Sequence, residues 1–362
     1  MTSRERILAV LRGEPVDRLP VEIHFVDAAV LKQYADTYGM SPSDFFEYLE
    51  NDLRYVYTMD EVGCYMQDKE LLEKGIEYGF AEYVPWEGHP GAVRDSYGIV
   101  WDSLALGQRP LTNGRSWEEL KDFEMPDPHK EGMFYDFDQK VPDYRKKDFA
   151  YLALQYYGPL EKLENIHGFV DTFTDFYEEP EKTVELLDKI TDYRVALAEE
   201  ICARGVTVGH GGDDYGIQSG SIMSLKTWRE FIKPRLARIY KVYKDHGLPV
   251  LHHSCGNCSE FVEDLIEIGV DALHPIQGDC MDIRDLYKRY GDRIVYYGGF
   301  DMHSFLEKAT PEMVKQGVKD TIDILGKNGR MVCAAVNIMD DVPIDNFKAL
   351  VEGIKEYRYI HR

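Results

Sequence analysis

The sequence predicts a single (β/α)8 barrel of the α/β class, the TIM-barrel architecture, on three observations. Short apolar strands alternate with helical segments in the second half of the chain, at 206–209, 249–253, 272–275, 294–297 and 331–335. A helix that ends in glycine precedes each strand, at Gly205, Gly247, Gly269, Gly291 and Gly329. The 362 residues show no change of composition that would separate two domains. Strand–helix alternation over this length is typical of a parallel sheet with helices outside.

The first half of the chain supplies the remaining elements. Thr2 and Glu5 have the spacing of a capping box, which predicts an N-terminal helix, and further helices are expected within 28–60. The strands expected in this half are 21–25, 53–59 and 149–154. Residues 76–113 mix Tyr, Trp and Val with many Gly and Pro, which predicts a β-hairpin insertion and a candidate lid. We therefore expect residues 1–362 to form one domain that carries this insertion.

Charge and hydropathy exclude two classes of function. The formal net charge is -23, whereas nucleic acids and anionic membrane surfaces select for Lys and Arg. No apolar run approaches the roughly 18 residues of a membrane span. The N-terminus is polar and charged, unlike a signal peptide, and the six cysteines are too irregularly spaced for a disulfide framework. We therefore expect a cytoplasmic protein that binds neither nucleic acid nor membranes.

The end of the strand at 249–253 carries the strongest candidate for chemistry. His253 and Cys255 are two residues apart, so both project to the same side of an extended chain. An imidazole nitrogen and a thiolate are ligands that Zn²⁺ prefers, and Gly256 allows a sharp turn directly after them. The alternative is that both side chains are simply packed in the core. The pattern indicates a metal or catalytic site, with zinc as the candidate ion.

Polar residues also follow the other strands, and in a barrel all strand ends lie on the face where active sites occur. These residues are His210, Asp213, Asp214, Tyr215, His274, Gln277, Asp301 and Asn337, and His24 lies in the first strand. Turn chemistry alone calls for Gly, Ser, Asn or Asp, so this density of His and Asp predicts an active site. Adjacent carboxylates at Asp213 and Asp214 favour a raised pKa, which suits proton transfer together with His210. An Asx turn or a helix cap is the alternative for this pair.

Five segments carry a family resemblance. They are LRGEPVDRLP at 11–20, DDYGIQ at 213–218, WREFIKP at 228–234, HSCGN at 253–257 and GGFD at 298–301. With them the chain resembles the uroporphyrinogen decarboxylase-like superfamily over nearly its whole length. Within that superfamily it is more similar to the cobalamin-dependent methyltransferase branch. The true decarboxylase has an Arg-rich segment after its first strand to hold substrate carboxylates, whereas residues 22–28 contain no Arg.

The methyltransferase branch implies a function and a metal site. Its members move methyl groups from methylated corrinoid proteins to thiols, and they bind zinc through an H-x-C motif and a later cysteine. The motif transfers to His253 and Cys255, which leaves Cys333, Asn337, Asp214 or no metal at all as alternatives for the third position. We expect a zinc-assisted methyltransferase of a corrinoid-linked demethylation system, with methylcobalamin carried by a partner protein.

Roles for the other strand-end residues follow from this expectation. Asp213, Asp214 and His210 would handle protons, and the expected substrate-binding residues are His24, Tyr215, His274, Gln277, Asp301 and Asn337. A homodimer is expected from the family alone. Two other functions stay open. A cofactor-free decarboxylase of a tetrapyrrole-like or smaller carboxylated substrate would remain active after chelation. A non-catalytic corrinoid- or tetrapyrrole-binding protein would bind its coloured ligand without Cys255.

Overall fold

A computed structural model describes residues 1–25, 28–61, 68–102, 110–155, 157–300, 305–338 and 341–359. Its strands are β1 (Val21–Phe25), β2 (Leu53–Tyr57), β3 (Ala81–Tyr83), β4 (Ala92–Asp95), β5 (Val100–Asp102), β6 (Ala150–Leu154), β7 (Gly209–Gly212), β8 (Gly216–Ile217), β9 (Gly220–Ser221), β10 (Val250–His253), β11 (Ala272–Ile276), β12 (Val295–Gly299) and β13 (Met331–Ile338). Its helices are α1 (Ser3–Arg12), α2 (Ala28–Thr37), α3 (Pro42–Tyr48), α4 (Lys69–Glu77), α5 (Trp117–Leu120), α6 (Tyr135–Lys146), α7 (Pro159–His167), α8 (Phe169–Glu178), α9 (Pro180–Ala203), α10 (Leu225–Phe231), α11 (Lys233–Asp245), α12 (Val262–Glu267), α13 (Ile283–Tyr290), α14 (Pro311–Leu325) and α15 (Ile344–Tyr357).

Eight parallel strands among the described residues form the barrel. Six of them pair in the order β1-β13-β12-β11-β10-β7, and β2 pairs with β6. Hydrogen bonds between backbone groups connect the two sheets: Asp52 N–H donates to Val21 O at 2.8 Å, and Thr207 N–H donates to Tyr151 O at 3.0 Å. The (β/α)8 barrel predicted from the strand–helix rhythm is confirmed. None of the described helices is both long and apolar enough to span a membrane.

Alternation along the strands separates two cores. Side chains that point inside the barrel, such as Leu152, Leu251 and Val295, form one cluster together with Ile7 and Val10 of α1. Side chains on the opposite strand faces pack against the surrounding helices in a second, larger cluster. The predicted capping box is present, since Thr2 accepts a hydrogen bond from Glu5 N–H and the Glu5 side chain accepts from Thr2 N–H. Helix α1 therefore covers one end of the barrel interior.

The predicted β insertion is a three-stranded antiparallel sheet of β3, β4 and β5. Its aromatic side chains anchor it to the barrel. Tyr97 is buried and its hydroxyl donates to Asp60 Oδ2 at 2.6 Å, and Trp101 lies 5.8 Å from the Tyr157 ring, centroid to centroid. Residues 103–109 lie outside the described part of the chain, and the role of the insertion as a lid stays a prediction.

One strand differs from its predicted position. The apolar residues of 206–209 predicted a strand there, whereas β7 covers Gly209–Gly212. Its glycines are required by close packing, because a Cβ at Gly209 would lie 2.4 Å from Tyr243 Cγ, and one at Gly211 would lie 2.8 Å from Tyr240 Cε1. This glycine-rich strand lacks the β-branched residues that identify a strand in a sequence. As a result, His210 lies within the strand rather than after it.

Candidate active site

Three barrel strands bring three of the predicted histidines together. In the parallel register, His210 of β7 is opposite Leu251 of β10, and His253 of β10 is opposite His274 of β11. Leu251 belongs to the barrel interior, and alternation places His253 on the same face. All three histidines are buried. The carboxyl ends of β7, β10 and β11 therefore form a site at the mouth of the barrel.

Asp214, His253 and Cys255 form a group with the geometry of a zinc site, here called the ligand cluster. Their candidate ligand atoms all lie within 4.8 Å of one another. His253 Nε2 is 3.4 Å from Cys255 Sγ and 3.6 Å from Asp214 Oδ1. Tetrahedral zinc with bonds of about 2.0–2.3 Å holds neighbouring ligands about 3.5 Å apart. Sulfur, nitrogen and oxygen donors at this spacing fit zinc.

The loop after β7 supplies the third member of this cluster. Cys255 N–H donates to Asp214 Oδ1 at 2.7 Å, which holds that carboxylate beside the thiol. Burial, then the charges of Asp214 and Glu161, raise the pKa of the Cys255 thiol well above its ordinary value. A bound dication reverses this balance, because a thiol that coordinates a metal is deprotonated. A cation at this cluster would therefore favour the thiolate form of Cys255.

Cys333 does not join the ligand cluster. It is fully buried on the helix-facing side of β13 with Ala335, whereas Val332 and Ala334 point inside the barrel. Burial raises the pKa of its thiol to about 12, so it stays protonated. Cys333 therefore does not lie with His253 and Cys255, whereas Asp214 does. Strand alternation is the physical reason, since odd and even residues of β13 face opposite ways.

His253 and His274 are held together through their Nδ1 atoms, which lie 2.9 Å apart. Burial lowers the pKa of both imidazoles, and His274 is shifted well below its ordinary value. Both rings are therefore neutral, which is the form that binds metals. A hydrogen bond to the second ring nitrogen of a ligating histidine fixes its orientation and tautomer. His274 is placed to do this for His253.

The Asp213 carboxylate caps the first turn of helix α7. It is fully buried, and its two carboxylate oxygens accept from Leu160 N–H at 3.1 Å and Glu161 N–H at 2.9 Å. These are the first amides of α7, so the carboxylate caps that helix. Burial raises the pKa of Asp213 to about 7 against these hydrogen bonds. The helix-cap alternative describes Asp213, whereas Asp214 faces the ligand cluster.

Two acids that the sequence reasoning missed lie on α7. Burial, reinforced by Asp214, Asp213 and Glu164, raises the pKa of Glu161 well above its ordinary value. Burial and the same two aspartates raise the pKa of Glu164 to about 8. The signal was their spacing of three residues on a helix that begins directly after a barrel strand and Gly158. Together with Asp213 and Asp214 they make the mouth strongly acidic.

A small cavity lies inside the barrel and is here called the inner cavity. Its polar lining consists of Glu22, His24, Tyr55, His210 and His274. Burial raises the pKa of Glu22 to about 8, despite the opposing effects of Tyr55 and Arg54. Burial, then His253, lowers the pKa of His24 to about 4. Glu22 was also missed, although alternation with Val21 and Ile23 places it inside the barrel together with His24.

The remaining predicted site residues have other positions. Tyr215 is buried and stacks on His252, 5.6 Å between ring centroids. Gln277 Oε1 accepts from Gly256 N–H at 2.5 Å and so holds the loop that follows Cys255. Asp301 and the side chain of Asn337 lie outside the described part of the chain. The predictions that these residues bind substrate stay predictions.

A family model described as Uroporphyrinogen decarboxylase (URO-D) matches residues 115–357, more than half of the chain. The chain belongs to the URO-D family. The family resemblance carried by the five sequence segments is thereby confirmed. This URO-D member is 29% identical over 173 residues to the uroporphyrinogen decarboxylase of Christiangramia forsetii, and the match covers 48% of each protein. It therefore spans only about half the length of that relative.

Two methyltransferases match the URO-D member over more of their length. Methylcobamide:CoM methyltransferase MtbA of Methanosarcina acetivorans is 22% identical over 368 residues, 99% of each protein. Methylated-thiol–coenzyme M methyltransferase of Methanosarcina mazei is 23% identical over 286 residues, 73% of this chain and 72% of that protein. The solved structure of a methyltransferase from Methanosarcina mazei superposes with a TM-score of 0.67 at 19% identity and covers 99% of both chains. At this identity the structural likeness supports the barrel fold.

Proposed function

We propose that this URO-D family member transfers a methyl group between a corrinoid carried by a partner protein and a small thiol held at the ligand cluster. The observation that carries the proposal is the arrangement of Asp214, His253 and Cys255, whose 3.4 and 3.6 Å separations suit a zinc ion. The relatives that match over the full chain are named methylcobamide:CoM methyltransferases, which supports a corrinoid as the second reactant.

Each residue of the site would have its own role in the proposed reaction. Zinc held by Asp214, His253 and Cys255 would lower the pKa of a substrate thiol and keep it as a nucleophilic thiolate. His274 orients the His253 ring through the 2.9 Å contact between their Nδ1 atoms. Burial, Asp213 and Asp214 raise the pKa of the Glu164 carboxyl to about 8, so this group would exchange a proton with a substrate near neutral pH.

The acidic mouth argues against uroporphyrinogen as the substrate. After burial, the charges of Asp213 and Asp214 raise the pKa values of both Glu161 and Glu164, so this region already resists further negative charge. A tetrapyrrole that carries several carboxylates needs guanidinium groups for recognition. Residues 22–28, which the resemblance compares with the Arg-rich segment, contain no Arg and include Glu22 and His24. Decarboxylation of such a substrate is therefore not the function we propose.

An anaerobic assay with methylcobalamin and a panel of thiols tests the proposal. We expect zinc-loaded protein to convert methylcobalamin, followed by its visible absorbance, with formation of the methylated thiol. Removal of zinc by a chelator and the Cys255→Ala substitution should each abolish transfer, whereas Cys333→Ala should retain it. Full activity of the chelated protein on a carboxylated substrate, with no methyl transfer to any thiol, would reject the proposal.

A further inference from the structure

The loop after β10 is held by hydrogen bonds from four consecutive backbone N–H groups. The donors and their acceptors are Ser254 with His274 O at 2.8 Å, Cys255 with Asp214 Oδ1 at 2.7 Å, Gly256 with Gln277 Oε1 at 2.5 Å and Asn257 with Ile217 O at 3.0 Å. Cys255 lies beyond the last residue of β10, so no strand fixes the direction of its side chain. The position of its thiol therefore depends on these hydrogen bonds.

Gln277 differs from the other three acceptors of this loop. Two of the three are backbone carbonyls, and the third, the Asp214 carboxylate, belongs to the ligand cluster. The Gln277 carboxamide must direct its oxygen toward Gly256, because its NH₂ group cannot accept a hydrogen bond. A substitution of Gln277 can therefore disturb the loop without removing a candidate metal ligand.

The hydrogen bond from Gln277 reaches the loop at its most adaptable residue. Gly256 is buried and has a φ of 72°, and a Cβ there would lie 2.3 Å from the backbone of Gly216. Glycine adopts positive and negative φ with similar ease, so the peptide unit between Cys255 and Gly256 can rotate. A buried N–H group without an acceptor is unfavourable and would drive this rotation. Gln277 holds the peptide unit in one orientation.

This orientation matters for the ligand cluster, because Cys255 Sγ lies 3.4 Å from His253 Nε2. A rotation of the adjoining peptide unit would move the sulfur relative to the imidazole, and metal binding would then have to restore the arrangement. Groups that orient metal ligands without touching the metal typically change its affinity by 10–100-fold. Resting on the metal-dependent function proposed above, we infer that Gln277 is a positioning residue that sets the metal affinity of the ligand cluster by holding the loop of Cys255.

Anaerobic titration of the metal-free protein with cobalt(II) tests this inference, since cobalt(II) accepts the same imidazole and thiolate ligands as zinc. The thiolate-to-cobalt charge-transfer absorption reports binding, and Cys255→Ala, which lacks the thiol, gives its zero level. Gln277→Leu removes the acceptor and should weaken cobalt binding at least tenfold. Gln277→Glu keeps an acceptor oxygen and should bind cobalt no more than threefold weaker than the wild type. The control Gln316→Leu, at an exposed residue of α14, should leave the affinity unchanged.

Hydrogen–deuterium exchange of the metal-free protein examines the loop itself. Residues 254–258 should exchange at least tenfold faster in Gln277→Leu than in the wild type, whereas Gln277→Glu should keep the wild-type rate. Gln277→Asn keeps the carboxamide but is one methylene shorter, so its oxygen no longer reaches Gly256 N–H. It should show the same losses as Gln277→Leu and replaces that variant if it does not fold. Melting temperatures of the metal-free proteins show which variants are folded.

Each outcome decides between the inference and its rivals. Unchanged cobalt affinity or unchanged exchange in folded Gln277→Leu or Gln277→Asn would overturn the inference, and so would an equal loss of affinity in Gln277→Glu. A lower melting temperature with unchanged cobalt affinity would show that Gln277 only stabilises the fold. If cobalt affinity depends on Gln277 but no thiol accepts a methyl group, the proposed function fails and the inference stands. If methyl transfer occurs but the variants bind cobalt normally, the proposed function stands and the inference fails. A wild type that binds neither cobalt nor zinc overturns both.

Discussion

The two ends of the barrel hold buried carboxylates in opposite ways. At the end covered by α1, Asp52 is fully buried and each of its oxygens is used. Its carboxylate accepts from Arg6 at 2.6 Å, Arg18 at 2.7 Å, the Ser3 hydroxyl at 2.8 Å and Val21 N–H at 2.9 Å. Two guanidinium groups neutralise one carboxylate there. This end is called the floor.

At the mouth, carboxylates accumulate instead. The charged groups that shift the pKa of Glu164 are Asp213 and Asp214, and those acting on Glu161 are the same two and Glu164. Both pKa values are raised, because burial and then the neighbouring carboxylates oppose ionisation of Glu161 and Glu164. In TIM barrels the mouth carries chemistry and the floor carries stability. Opposite charges pair at the floor, whereas like charges lie close together at the mouth. This distribution of charge matches the division between a stable floor and a reactive mouth.

The largest effect that would test this division is loss of the metal. Asp214→Asn, His253→Ala and Cys255→Ala should each lower zinc from about one per chain to below a tenth. Each ligand would supply roughly a third of the binding free energy, which is about 10–16 kcal/mol in structural zinc sites. Elemental analysis of anaerobically purified protein measures this. The adjacent substitution Asp213→Asn is the matched control and should retain zinc, because Asp213 caps α7. Equal zinc loss in both aspartate variants would remove the distinction between the two residues.

At the floor, Asp52→Ala should leave zinc content unchanged and destabilise the fold. The substitution removes the buried carboxylate that Arg6 and Arg18 share. Removing one partner of a buried ion pair lowers the free energy of unfolding by about 3–5 kcal/mol. Denaturant titration measures the change. Asp17→Ala is the control, since Asp17 is 42% exposed and Arg6 keeps Asp52, so the loss should stay below about 1 kcal/mol. Loss of zinc in Asp52→Ala would show that the two ends are not independent.

The pH dependence of Glu22 shows whether the inner cavity opposes ionisation of a carboxyl group, as the mouth does, or stabilises a carboxylate, as the floor does. Its folded pKa of about 8 lies above the ordinary 4.5, so the folded chain holds a proton that the unfolded chain has released. Stability contributed by this group therefore falls as the pH rises from about 4.5 to 8. Between pH 6 and pH 8 the wild type should lose about 2 kcal/mol relative to Glu22→Gln, which does not titrate. Denaturation midpoints of both proteins at the two pH values measure the difference. If the difference in stability between the two proteins were the same at both pH values, the Glu22 carboxylate would be stabilised in the folded chain, as that of Asp52 is at the floor.

Sequence patterns predicted the fold more completely than the site. Glycine-ended helices and short apolar strands gave the barrel, because both signals are local. The H-x-C spacing identified His253 and Cys255 for the same reason. The third member of the cluster, Asp214, is brought in by a loop from another strand, and its choice over Asp213 depends on which carboxylate meets the amides of Leu160 and Glu161. No spacing within a sequence encodes that choice.

Two other differences between the sequence prediction and the structure have physical causes. The strand at β7 was placed three residues early because Gly209 and Gly211 have low strand propensity, while their need to be glycine arises from the Tyr243 and Tyr240 rings. Glu161 and Glu164 look like ordinary helical surface residues in the sequence. Only the tertiary position of α7 against the loop after β7 makes them part of the mouth.

The smallest expected effect comes from Cys333→Ala, which is the sharpest test of strand alternation. The thiol is buried against the helices, so its removal should cost about 1 kcal/mol of packing in a denaturant titration. Zinc content should remain at about one per chain. The matched substitution Cys255→Ala should do the reverse, with zinc lost and little change in the stability of the metal-free protein. If both variants lost zinc, β13 would have to present Cys333 to the inside of the barrel, and its alternation with Val332 and Ala334 would be shifted by one residue.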